Sequence, residues 1–143
     1  MSIESKAKKI MKDNIIKLSK TYNTSCKDVQ VLMQVNEGVP KFYATKDFAV
    51  EKEISVKELY PVLVDVFQVR QLLPVFVGNL IVDTAKECNA EDLGDIKVFI
   101  STNSDNAEKV YLHAYNKNKP HRQLSWSEVF GEEAMMKLMT KQA

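Results

Sequence analysis

A chain of 143 residues is long enough to bury a real core, and its 45% apolar and 27% charged residues are ordinary for a globular protein, which excludes disordered and fibrous classes. The net charge of +1 calls for no polyanion partner, and nearly all the basic residues are Lys. Arg70 and Arg122 are the only arginines, which counts against sequence-specific reading of nucleic acid. Richness in Lys, Asn and Ile fits an AT-rich coding genome, such as that of a low-GC bacterium or its phages. Cys26 and Cys88 are isolated, with no histidine at ligand spacing, so both read as free thiols of a reducing compartment. Residues 1–22 lack the apolar core of a signal peptide, and the expected location is cytoplasmic.

Residues 3–20 read as an amphipathic helix. Ile3, Ala7, Ile10, Met11, Ile15 and Leu18 recur at helical spacing, with Lys6, Lys8, Lys9, Lys12, Lys17 and Lys20 between them. Such a helix can dock on its own domain, a partner groove or a polyanion. Its apolar face has no Trp or Phe, which argues against a membrane surface. Residues 22–25 form a loop. The alternation of Val29, Val31, Met33 and Val35 predicts a strand, with a helix capped by Ser25 and Asp28 as the competing reading. After the turn Asn36-Glu37-Gly38, residues 41–50 read as a second strand with an irregularity near Lys46-Asp47. Residues 28–50 are thus a hairpin.

Residues 55–88 are the most apolar stretch. Ser55 and Glu58 form a capping box, stapled by Ile54 and Leu59. Apolar side chains then cover most of the helix circumference, which predicts burial and favours a homo-oligomer. Pro61 predicts a kink or a helix start, and Pro74 a break or bend. A membrane span is disfavoured, because Asp65 and Arg70 lie inside the stretch and a central charge costs about 2.5–3.5 kcal/mol. Arg70 projects among Val66, Phe67, Leu73 and Val77, where it needs a carboxylate, an anion or a subunit interface.

Residues 95–115 read as a second hairpin around the turn-rich 103–108, followed by a loop at 116–123. A final helix spans 125–141, with Ser125 and Glu128 as capping box and Leu124 and Val129 as staple. The expected fold is one α+β domain over residues 1–143. An antiparallel sheet of about four strands carries the proline-interrupted helical element, in the order α-β-β-α(α)-β-β-α. No repeat of solenoid period is present.

Alternation puts Tyr111, His113 and Tyr115 on one strand face, and Lys117, Lys119, His121 and Arg122 follow at once. Aromatic rings beside cationic donors suit stacking and anion binding. With Arg70 these are the candidate ligand residues. No catalytic motif or metal-ligand spacing occurs, and no cofactor is implied. A nucleophile pair of Cys26 with His113 or His121 would require the fold to bring them together. The sequence therefore reads as a non-enzymatic binding protein, homo-oligomeric, acting on a protein partner or a small anionic ligand. Nucleic-acid binding through the Lys-rich helix and residues 116–122 is the first alternative, and a small enzyme with an intersubunit site the second.

Overall fold

The protein's structure, a computed structural model, describes residues 3–59 and 69–130. Helix α1 (Ile3–Thr21) buries Ala7, Met11, Ile15 and Leu18 on one face. It ends where Asn23 takes φ +52° and the Thr24 amide returns to the Ser19 carbonyl at 2.9 Å. Ser25 then caps only a 3-10 turn, Cys26–Asp28, so the competing helix does not form. Strands β1 (Val29–Asn36), β2 (Val39–Lys46) and β3 (Ala49–Ile54) follow, then helix α2 (Val56–Leu59). Helix α3 (Val69–Cys88) leads through a second 3-10 turn into β4 (Ile96–Thr102), β5 (Val110–Asn116) and β6 (Lys119–Leu124). Helix α4 (Trp126–Phe130) is the last of the described elements.

The sheet is antiparallel with six strands, in the order β3-β2-β1-β4-β5-β6, and not four. The two extra strands are its edges. The stretch expected as one strand over 41–50 breaks at Asp47-Phe48, where φ values of +51° and +67° make a two-residue reversal into β3. The expected loop 116–123 contains the same reversal at Lys117-Asn118 and then β6. Both edges are charged, and β6 carries Pro120, so neither shows the apolar alternation of an inner strand. Pro74 lies inside α3 and does not divide it. Its ring removes the one donor that would reach the carbonyl four residues earlier, and the helix continues past it. Pro61, residues 60–68 and most of the expected final helix lie outside the described residues. Among the described residues no helix is long and apolar enough to cross a membrane.

The chain repeats one unit twice, with a period far beyond that of any solenoid. Each unit runs helix, 3-10 turn, three strands, capped helix. The Schellman-like helix end at Asn23 and Thr24 recurs at Asn89 and Ala90, with the Ala90 amide on the Ala85 carbonyl at 2.9 Å. The side-chain cap of Ser25 recurs at Asp92. The bond from the Asp47 amide to the Asp28 carbonyl recurs from Lys117 to Asp95. Bulges fall after Ala44 and after Ala114. The ion pair of Lys52 with Glu58 recurs as Arg122 with Glu128. A pseudo-dyad therefore passes between β1 and β4. Between residues 39–59 and 109–129, only Ala44/Ala114, Ser55/Ser125 and Glu58/Glu128 are identical pairs, so pattern searching does not find the repeat.

The core lies between the sheet and α1, α3 and α4. It takes Val31, Met33, Phe42, Val98, Ile100 and Leu112 from the sheet, and Phe76, Val77 and Ile81 from α3. Trp126 stacks on Phe130 with ring centroids 5.6 Å apart, and its indole N–H donates to the Val110 carbonyl at 3.2 Å.

Candidate functional site

Period-two alternation sends the neighbours of the core residues to the opposite side of the sheet. No described helix covers that side. Leu32 and Phe99 are nevertheless only 2% and 5% exposed there, and neither belongs to the main core cluster. They occupy the centre of one cross-sheet row, Glu53–Tyr43–Leu32–Phe99–His113–Gln123, fixed by the strand register. The pseudo-dyad crosses this row between Leu32 and Phe99.

The cover over Phe99 comes from a turn. Phe48 folds back so that its ring meets Phe99 edge-on at 5.2 Å and Tyr115 at 6.5 Å, while Phe99 meets Tyr115 at 5.4 Å. Phe48 does this at φ +67°, a conformation unfavourable for a bulky side chain, and its equivalent in the second unit is Asn118, a residue that tolerates it. The turn is held by the buried Gln30 amide, whose Oε1 accepts from the Phe48 N–H at 2.9 Å and from Thr45 Oγ1 at 2.8 Å. Even so, Phe48 remains 53% exposed, and Val50, two residues on in β3, is 56% exposed. The site is thus an aromatic cluster with a strained, half-exposed ring at its rim.

The expected ligand residues divide between two places. Tyr111, His113 and Tyr115 are half-buried on the face that no described helix covers, as the alternation predicts, with the Tyr111 and His113 rings 6.2 Å apart. Lys117 and Lys119 are exposed around the β5–β6 turn. His121 and Arg122 turn instead toward α3 and α4, because the bulge after Ala114 shifts the phase of β6. There Arg122 makes two bonds to Glu87, at 3.1 Å each, and two to Glu128, at 3.0 and 3.2 Å. His121 Nε2 meets Glu87 Oε1 at 2.8 Å. Hydrogen bonds from Arg122 and then from His121 hold the Glu87 carboxyl down to about 2. Arg122 likewise lowers Glu128 and is itself held above its ordinary value. Glu128 also accepts from the Ser125 amide at 2.7 Å while Ser125 Oγ accepts from the Glu128 amide at 3.2 Å, the reciprocal box that the sequence predicts. Arg70 lies in α3, and its side chain is outside the described residues.

Cys26 does not meet either histidine. Its thiol is buried beside Ser19 Oγ at 3.4 Å. Among the described residues, no group of three or more His, Cys, Asp or Glu side chains is placed to hold a metal ion. Sequence reasoning missed Leu32, Tyr43, Phe48 and Phe99. The alternation of β1 and β4 carried the signal for Leu32 and Phe99, whereas Phe48 was hidden inside a presumed continuous strand.

No family model, curated protein or solved structure matches this chain.

Proposed function

We propose that this chain is a non-enzymatic binding protein that takes a protein partner on the face of its sheet that no described helix covers. Phe48 carries the reading. A bulky ring in left-handed backbone costs stability, and strain of this kind concentrates where surfaces are used. The ring does not repay the cost by full burial, since half of it faces solvent. A half-exposed aromatic ring over a buried centre with a polar rim matches the anatomy of an interaction hot spot. Tyr43, Tyr115 and Val50 widen the apolar area, and Glu53, Lys41 and Gln123 border it.

A small anion has less support on this face. Lys41 is 3.8 Å from Glu53, and Lys97 donates to Asn118 at 3.0 Å. Catalysis has less support too, because cross-strand neighbours of His113 are Phe99 and Gln123 rather than a nucleophile.

The test is retention of partners from native extract on the immobilised protein, compared with Phe48→Gly and with Lys86→Ala on the outer surface of α3. The proposal expects a discrete species held by the wild type and by Lys86→Ala but lost with Phe48→Gly. Retention indifferent to Phe48, or no specific retention, removes it.

Self-association is the second reading. Val75 and Leu93 are 40% and 36% exposed, and they border a groove of about 390 Å³ whose other walls are Val35, Pro40 and Val82. Native mass spectrometry decides this point, and a bare monomer at working concentration removes it.

A further inference from the structure

We infer that the cleft between α1 and the β5–β6–α4 corner binds an acidic peptide segment. It is a different site from the aromatic face and stands independently of the reading above. The cleft has a volume of about 740 Å³. Lys8, Lys9 and Lys12 come to it from α1, and Lys109 faces it from the start of β5. Glu4 and Glu108 also line it, but Glu4 is already spent on Lys8 at 3.3 Å. Among the described residues, Lys9, Lys12 and Lys109 have no carboxylate partner. A chain of net charge +1 therefore concentrates positive charge in one concavity.

The shape of this charge selects the ligand. Lys9 and Lys12 come from α1 and Lys109 from the strand side, so a ligand must present carboxylates to two elements at once, which an extended acidic segment can do. The floor is apolar, built from Val110, Leu124 and the edge of Trp126, and it suits the intervening side chains. Ser127 adds a hydroxyl donor. Lysines act as separate point charges, without the planar fork that favours a single phosphate. Nucleic acid is less favoured, because base stacking needs an open ring. Trp126 is 8% exposed, its face is covered by Phe130 and its N–H is committed to Val110. The cationic turn at Lys117 and Lys119 lies at the other end of β5 and does not extend this patch.

The test uses the full chain and a fluorescein-labelled peptide of alternating Glu and Leu, followed by fluorescence anisotropy at low salt. Binding is expected, weakening as salt is added. Lys12→Glu with Lys109→Glu should raise Kd about tenfold or more, since each reversal both removes an attraction and adds a repulsion. Lys17→Glu, on α1 but outside the cleft, should leave Kd unchanged. Thermal unfolding of each variant reports folding, and the milder pair Lys12→Gln with Lys109→Gln gives the same direction without repulsion. Phe48→Gly should bind the peptide as the wild type does. Absence of binding overturns the inference, as does an equal loss with Lys17→Glu. Tighter binding of an oligothymidylate with the same dependence on Lys12 and Lys109 overturns it in favour of nucleic acid.

Discussion

Phe48→Gly separates a functional ring from a structural one. The ring is 53% exposed, so substitution forfeits about half of the roughly 1.5–3 kcal/mol that full burial of a Phe supplies. Loss of the edge-to-face contact with Phe99 adds about 0.5–1.5 kcal/mol. On the other side, left-handed backbone costs an L side chain about 1–2 kcal/mol, and glycine is free of that cost. The terms partly cancel, and the net change should lie between about 1 kcal/mol of stabilisation and about 2 kcal/mol of destabilisation. Phe99→Ala provides the scale. Its ring is 5% exposed, and its removal should cost about 3–5 kcal/mol. Urea unfolding of both variants and the wild type gives the comparison. If Phe48→Gly loses as much stability as Phe99→Ala, the ring is a plug for the sheet face and the argument from strain and exposure fails.

Arg122→Ala should lower stability by about 1 kcal/mol in urea unfolding, since its four carboxylate bonds are half-exposed and screened. Arg122→Lys should recover little of the loss, because the fork that spans Glu87 and Glu128 is gone. Glu87 and Glu128 are both held below the ordinary carboxylate value in the fold, Glu87 to about 2. Their contribution is therefore complete above the unfolded value and disappears as pH falls from there toward 2. An acid unfolding profile of Arg122→Ala should be shallower than that of the wild type over this window, and identical slopes would contradict the assignment. Gly38→Ala, at φ +78°, should destabilise by about 1 kcal/mol, whereas Asn118→Gly, at φ +69°, should be neutral or slightly stabilising apart from the lost Lys97 contact. Thermal unfolding distinguishes the two.

What the sequence made legible followed the strength of its local signals. The stripe Ala7–Met11–Ile15–Leu18, the inner strands around Val31 and Val98, and the box Ser125–Glu128 are each written in spacing that a single element decides. The outward placement of Tyr111, His113 and Tyr115 followed from the same alternation. The edge strands were not legible. β3 has a single buried side chain, Ile54, and β6 has a single buried side chain, Leu124, so neither has an apolar face to display. Their reversals use Asp47-Phe48 and Lys117-Asn118 instead of the Asn-Gly or Asp-Gly pairs that announce such turns. The fate of Arg122 was hidden for a related reason. One bulged residue turned it from the exposed loop of the sequence reading toward two carboxylates far off in the chain. The two-unit architecture was invisible because backbone geometry repeats where side chains do not.

The central claim is that a partner sits on the sheet face that carries Phe48 and Phe99, and it is tested most directly by photo-crosslinking in native extract. A benzophenone amino acid replaces Phe48 in one protein and Lys86 in another. The account predicts a discrete adduct from position 48 and none from position 86. Adduct at twice the mass of the chain would identify that partner as a second copy. No discrete adduct at position 48, or the same adduct from both positions, would contradict the account.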